Sequence, residues 1–396
     1  MAKILFCWEL GAGLGHLLPY RDVIKGLQRH GHEIWFASRS LQHAEQVFAG
    51  MGVNLCQSPL NVPLSPGESV AVHSFAQVLH NTLAYDVSAL TASLKAWRTL
   101  IELIRPDMLI ADHSPGAMLA SRDVTCQRLV SGSGFLLPPV SDPWPCYPHV
   151  TAIDNNELQL FEKNLLLTVN SALDAAGISP LKTLGETLLA DDEILMTYPE
   201  LDQYMPRADA QYRGITHCQG GYVPEWPVAA GKRVFAYLKD FDSMPALIET
   251  LAESGQPALL RMNGGNEERY QQFESDSLRL VTQTVDLQTV LAQADLYISN
   301  ANHASTAESL LLGTPVLCVP LHLEQFILAR NVELLGAGLS APLRKPQGMA
   351  SKFNALLTNP AYTQVAQNFA KKYAGNLVAD DLADHLNGML AHQRLH

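Results

Sequence analysis

At 396 residues the chain is too long for one ordinary core, so two domains of about two hundred residues each are expected. Its 27 basic and 39 acidic side chains leave a net charge of -12 and no basic run to neutralise phosphates, which argues against nucleic acid as a partner. Six cysteines (Cys7, Cys56, Cys126, Cys146, Cys218 and Cys318) are scattered singly, without the close pairs of a zinc site or the density of a disulfide scaffold, so a reduced, cytoplasmic setting is expected and a metal is not.

The opening run "MAKILFCWEL" is too short for a signal peptide or a membrane span and reads as a first buried strand. It leads into "GAGLGHLLPY", whose glycines permit positive φ and close approach of the backbone. A helix is expected over "HLLPYRDVIKGLQRHGH", with Pro19 tolerated in its first turn and Gly31 as its stop, before the strand "HEIWFAS". The spacing G-x-G-x-G-H departs from the dinucleotide fingerprint G-x-G-x-x-G, and the second strand ends in "FASRS" without an acid for a ribose. An NADP-type site with Arg39 on the phosphate is the minor alternative. His16, at the mouth of a helix beside glycines, is either a surface or capping residue or a base that titrates near neutral pH.

A long helical stretch over roughly Val70 to Ile104 precedes the strand "MLIAD", which ends at Asp112 before a helix that starts near Pro115. As a helix cap in "DHSP", Asp112 has a plain structural role. At the same sheet edge as His16, its carboxylate would instead accept the imidazole N–H, fix the tautomer and stabilise the imidazolium. The loop "FLLPPVSDPWPCYP" holds too many prolines for regular structure and is either an apolar wall for a substrate or a surface loop. Aromatics of this half, among them Phe75, Phe135 and Trp144, either shape a pocket or belong to the core.

The strand "EILMTYP" closes the first half, and "GITHCQGGYVPEWPVAAGK" reads as an interdomain linker. The pattern then restarts with the strands "KRVFAYL", "PALLRM", "LRLVTQ", "DLYISN" and "TPVLCVP", separated by helices such as "SMPALIETLAESG" and "LQTVLAQA". Gly264 and Gly265 are expected to form a turn after a strand. Boundaries are expected at 1–215 for the first domain, 216–231 for the linker and 232–375 for the second domain, with 376–396 a helix packing back on the first. The fold class is α/β: two domains with parallel sheets facing a central cleft, where ligands bind beyond the carboxyl ends of the strands. In the second domain a strand ends at Ser299, a helix begins near Ser305 with Glu308 in its first turns, and a further strand delivers Glu324 and Gln325 to the same edge.

From Ala294 to Gly338 the chain resembles the family 1, UDP-glycosyltransferase-like, nucleotide-sugar-dependent glycosyltransferases. The family run S-H-G-G-x-x-S-x-x-E, then G-x-P, P-x-x-x-(D/E)-Q and G-x-G, is matched by Ser299, Ser305, Glu308, Gly313, Pro315, Pro320, Glu324, Gln325, Gly336 and Gly338. The family's G-H-x-x-P is matched by Gly15, His16 and Pro19.

The resemblance covers essentially the whole chain and implies the GT-B fold of two Rossmann-like domains, with His16 as catalytic base and Asp112 as its orienting partner. It implies that Glu308 holds the donor ribose, that Glu324 and Gln325 hold the donor sugar, and that Ser305, with Thr306, lies at the diphosphate. Gly15, Phe75, Phe135 and Trp144 would be on the acceptor side. Where the family has His-Gly-Gly, this chain has Asn300-Ala301-Asn302, so Asn300 and Asn302 offer amides in place of an imidazole, and Lys239 is a candidate replacement for the lost positive contact.

The implied activity is inverting transfer of a sugar from a UDP- or dTDP-sugar to a hydroxyl of a small, mostly apolar acceptor. The nucleotide-sugar would be a co-substrate, with no obligatory cofactor or metal. No stable membrane insertion is expected, and a homodimer is allowed. The alternatives are a non-catalytic glycosyltransferase-like partner protein and MurG-like transfer to a lipid-linked acceptor.

Overall fold

Short apolar runs buried on both faces form two parallel sheets flanked by helices in the computed structural model of the chain, which describes residues 1–62, 64–151, 153–204, 207–217, 220–264, 267–341, 348–375 and 378–393. Gly265 and Cys218 lie outside the described residues. The chain divides into two compact units. Unit 1 is Met1–Tyr198, Pro206–Thr216 and Leu377–His396, and unit 2 is Pro199–Met205 and His217–Asn376.

In unit 1 the strands are β1 (Lys3–Trp8), β2 (Glu33–Ser38), β3 (Asn54–Gln57), β4 (Met108–Asp112), β5 (Gln127–Gly132) and β6 (Asp192–Leu195), paired in the order β3-β2-β1-β4-β5-β6. Alternate residues of β1 serve two cores. Leu5 and Cys7 pack with Trp97 and Ile101, while Ile4, Phe6 and Trp8 pack with Val23, Ile24 and Leu27. The helices are α1 (Arg21–Arg29), α2 (Leu41–Phe48), α3 (Phe75–Thr82), α4 (Val87–Ile104), α5 (Pro115–Ala120) and α6 (Asn155–Ala175).

Two expectations are corrected here. The single stretch from Val70 to Ile104 is two helices, because Ser74 forms a capping box with Gln77 and Asp86 caps a fresh start by accepting from the Ala89 N–H. Residues 14–20 form two short 3₁₀ turns instead of the start of α1, with Pro19 in the second. Strands β3 and β5 lie in stretches that periodicity did not mark.

Unit 2 repeats the winding. Its strands β7 (Val234–Leu238), β8 (Ala258–Met262), β9 (Leu278–Val281), β10 (Leu296–Ser299), β11 (Val316–Cys318) and β12 (Gly338–Ser340) pair in the order β12-β11-β10-β7-β8-β9, which is the order of unit 1 read from the other edge. Its helices are α7 (Met244–Glu253), α8 (Leu287–Gln293), α9 (His303–Leu311), α10 (Leu323–Leu335), α11 (Met349–Thr358) and α12 (Pro360–Lys372). One face of its sheet buries Val234, Ala236 and Leu238 against Leu247 and Phe353.

Helix α13 (Val378–Gln393) returns to unit 1 and lies on α1. Its Leu382, Ala383, Leu386 and Leu390 complete the core around Val23 and Leu27. A Cβ on Gly26 would stand 2.5 Å from the Ala383 Cβ, so the Ala383 methyl lies against the backbone of α1 where only glycine fits. Polar contacts flank this seam, from Arg29 to Asp380 and from His30 to Asp384. Among the described residues no helix is long and apolar enough to cross a membrane, and no group of three His, Cys, Asp or Glu side chains is placed to hold a metal ion.

Candidate active site

In a doubly wound sheet the strand order reverses at one point, and the loops that leave the two neighbouring strands there diverge to opposite faces, which opens a crevice. In unit 1 that point lies between β1 and β4, whose last residues Trp8 and Asp112 are paired in register. The loop after β1 carries Gly11 at φ +84° and Gly13 at φ +89° and so folds back sharply, which sets His16 over the end of β4. His16 Nδ1 is 2.8 Å from Asp112 Oδ1. The indole of Trp8 stacks on the imidazole with ring centres 5.1 Å apart.

A Cβ at Gly11 would be 2.7 Å from His16 Nε2, so the glycine is needed to clear the ring. A carboxylate on Nδ1 assigns the proton to that nitrogen and leaves Nε2 as the basic one. Asp112 is 6% exposed, and its other oxygen accepts from the Tyr20 hydroxyl at 2.8 Å.

Three further titratable side chains, His113, Glu9 and Arg39, directly follow β4, β1 and β2. His113, at φ +44°, has its ring 5.9 Å from that of His16, centre to centre. Burial, reinforced by His16 and Arg39, lowers its pKa to about 3, so it stays neutral beside His16. Glu9 is buried and accepts from Trp97 Nε1 and the Gly116 N–H, and burial outweighs these bonds and raises its pKa to about 7. Arg39 donates to the Glu9 carbonyl at 2.8 Å, which gives it a structural partner.

The acceptor-side expectations fare unevenly. Gly15 is exposed, with open space where a side chain would be. Phe75 and Trp144 are both 1% exposed and meet edge to face at 5.2 Å inside the core, so these two aromatics stabilise unit 1 and are corrected from pocket wall to core. Phe135 is 8% exposed and stacks on Tyr147, whose hydroxyl donates to the Phe135 carbonyl.

In unit 2 the reversal lies between β7 and β10. Asn300 follows β10 and is fully buried. Its Oδ1 accepts from the Lys239 N–H at 2.7 Å and its Nδ2 donates to the Val319 carbonyl at 2.9 Å. The amide therefore ties the ends of β7, β10 and β11 together, and the expectation that it offers a hydrogen bond in place of the missing imidazole is corrected. Ala301 keeps a left-handed φ of +59° that a glycine would adopt with less strain. Asn302 caps α9 by position, and its Oδ1 accepts from Gln325 Nε2, while Gln325 Oε1 accepts from the Leu321 N–H. These two side chains thus brace the starts of α9 and α10.

Helix α9 begins at His303, two residues before the expected start, which puts Ser305 in its first turn with its hydroxyl on the Asn302 carbonyl. Thr306 is buried with no hydrogen-bond partner for its hydroxyl among the described residues. Glu308 is 4% exposed, and both of its oxygens lie 2.9 Å from His217 Nδ1. The hydrogen bond to Glu308 raises the His217 pKa. Glu324 stands in the first turn of α10, and the side chain of Lys239 is exposed; desolvation, and next the charge of Lys239, lower the pKa of His322.

Sequence reasoning missed Tyr20, Ser131, His113 and His217. Tyr20 directly follows the G-H-x-x-P run, which was a usable signal, whereas Ser131 lies on β5, a strand that the hydrophobic pattern did not mark.

The architecture has solved counterparts. The glycotransferase of kitacinnamycin superimposes with a TM-score of 0.73 at 14% identity, over 97% of this chain and 98% of that one. CalG4, the calicheamicin glycosyltransferase, gives 0.72 at 17% identity over 98% of both chains. VinC, a glycosyltransferase solved in complex with dTDP, gives 0.70 at 14% identity, over 98% of this chain and 100% of that one. No family model matches the sequence, and no curated protein matches it. The fold is that of the GT-B glycosyltransferases: two Rossmann-like units in one chain, each wound in the same order.

Proposed function

We propose that the chain is a glycosyltransferase that moves a sugar from a nucleotide-diphosphate donor to a hydroxyl of a small, mostly apolar acceptor, with inversion at the anomeric carbon. The observation that carries this reading is the hydrogen bond between His16 Nδ1 and Asp112 at the switch point of unit 1. In the proposed reaction His16 Nε2 takes the proton of the acceptor hydroxyl as its oxygen bonds to the anomeric carbon. The bond from that carbon to the diphosphate oxygen breaks, and the nucleotide leaves with the electron pair. Asp112 stabilises the imidazolium that forms. In unit 2, Glu308 is the group proposed for the ribose hydroxyls, Glu324 for the sugar, and Ser305 with the first turn of α9 for the diphosphate. The names of two structural counterparts, the glycotransferase of kitacinnamycin and the calicheamicin glycosyltransferase, support a small-molecule acceptor.

A donor-by-acceptor screen read by mass spectrometry tests the reading, because a product's mass reports both the sugar and the acceptor. His16→Ala should lower turnover by about 10²- to 10⁴-fold while leaving nucleotide binding nearly intact, and full turnover in that variant overturns the role of His16. A second reading, a non-catalytic partner protein, is favoured by one observation. Asn300, Asn302 and Gln325 are engaged with one another or with backbone, and Glu308 is engaged with His217. Calorimetric titration with UDP and dTDP separates the two readings, since no binding of either nucleotide supports the partner protein.

A further inference from the structure

The carboxylate of Asp112 is held on both oxygens: Oδ1 faces His16 Nδ1, and Oδ2 accepts from the Tyr20 hydroxyl. The phenol oxygen of Tyr20 in turn lies 2.7 Å from Ser131 Oγ, and Ser131 is paired in register with Asp112 across β4 and β5. Tyr20 is 1% exposed and Ser131 is fully buried, so water does not compete for these contacts. We propose that Tyr20 and Ser131 are positioning residues of the general base, a buried relay that fixes the carboxylate of Asp112 and so sets both the aim and the basicity of His16. This inference rests on the reading of His16 as the base.

The chemistry follows from the donor count. A phenol has one O–H, and given to Asp112 it leaves its lone pairs to accept from Ser131. Burial, and next the charge of Asp112, push the Tyr20 pKa well up, so the phenol stays a neutral donor while the carboxylate stays the acceptor. A donor on Oδ2 draws negative charge away from Oδ1 and moderates the pull of Asp112 on the imidazolium. Other groups near His16 include His113, which stays neutral, and Arg39, whose charge acts on His113. Neither would mimic the loss of a hydroxyl from Tyr20. The 3₁₀ turn from Leu18 to Tyr20 delivers the ring, which is held against Phe6 at 5.2 Å, so the ring itself is a core group and only its oxygen enters the relay.

Tyr20→Phe removes that oxygen and keeps the ring. With a donor and acceptor found in the screen, the plateau of kcat/KM should fall about tenfold, the donor KM should hold, and the acid limb of the pH profile should move to higher pH, because an undamped Asp112 holds the His16 proton more tightly. A plateau and acid limb that superimpose on the wild type overturn the proposal. Ser131→Ala should move the same limb in the same direction by less, which covers the case of a Tyr20→Phe protein that fails to fold.

The coupling is also readable without turnover. An NMR titration of the His16 imidazole should show its pKa raised in Tyr20→Phe, and an unmoved titration overturns the relay. If the wild type transfers no sugar in any pairing yet the His16 titration moves in the variant, the proposed function falls and the relay stands.

Discussion

A methyl group on Gly11 would sit 2.7 Å from His16 Nε2 and 3.2 Å from His113 Nδ1, and the φ of +84° at that position already disfavours any side chain. Gly11→Ala should therefore turn the imidazole off Asp112 and lower transfer by about 10²-fold, at the lower end of what a general base contributes, while UDP or dTDP binds as before. Unchanged turnover in that variant would show that His16 tolerates displacement. The pairing of His16 with Asp112 was legible in the sequence because Asp112 ends a strand and His16 closes the glycine loop that leaves the neighbouring strand, and parallel strands bring both to one edge. The partners of that pair were not legible. Tyr20 reaches Asp112 across 92 positions of sequence, and its other contact, Ser131, lies further still along the chain. Asn300 misled for a related reason. An amide in place of an imidazole looks like a ligand contact until the backbone groups it satisfies, at Lys239 and Val319, are in view.

Between elements, Glu9 is the joint to watch. It directly follows β1, accepts from Trp97 of α4 and meets the start of α5 so closely that a Cβ on Gly116 would lie 2.4 Å from its Oε1. Its pKa in the fold, about 7, lies above the ordinary 4.5, so the native state binds a proton that the unfolded chain has released. That contribution to stability is fully present below about pH 4.5 and is lost as pH rises through about 7, amounting to about 3 kcal/mol. Glu9→Gln cannot titrate. Denaturant unfolding at several pH values should show the difference between wild type and variant changing across that window, and a constant difference would remove Glu9 from the account. Element boundaries followed a similar logic of local signals. Strong apolar runs such as those of β1, β2 and β4 announced themselves, whereas β3 (Asn54–Gln57) and β12 (Gly338–Ser340) are short edge strands that draw their conformation from the neighbour they pair with.

For the whole molecule, the repeated winding was legible because a parallel sheet with helical crossovers has few topologies, and both units adopt the same one. The course of the chain through them was harder to foresee in its consequences. Unit 1 starts the sequence yet holds α13, whose Leu382, Leu386 and Leu390 sit in the core with Val23 and Ile24 of α1. A ribosome must therefore complete all of unit 2 before unit 1 can close its own core, so the second unit is free to fold while the first still waits with α1 uncovered. A released chain truncated after residue 375 should accordingly be cut by protease within residues 1–198 and resist it within unit 2, and the full chain should be protected in both. Equal resistance of both units in the truncated chain would mean that α1 does not need its late partner. In a cell, this order of synthesis leaves the α1 face of the first unit without its late partner for as long as translation of the second lasts.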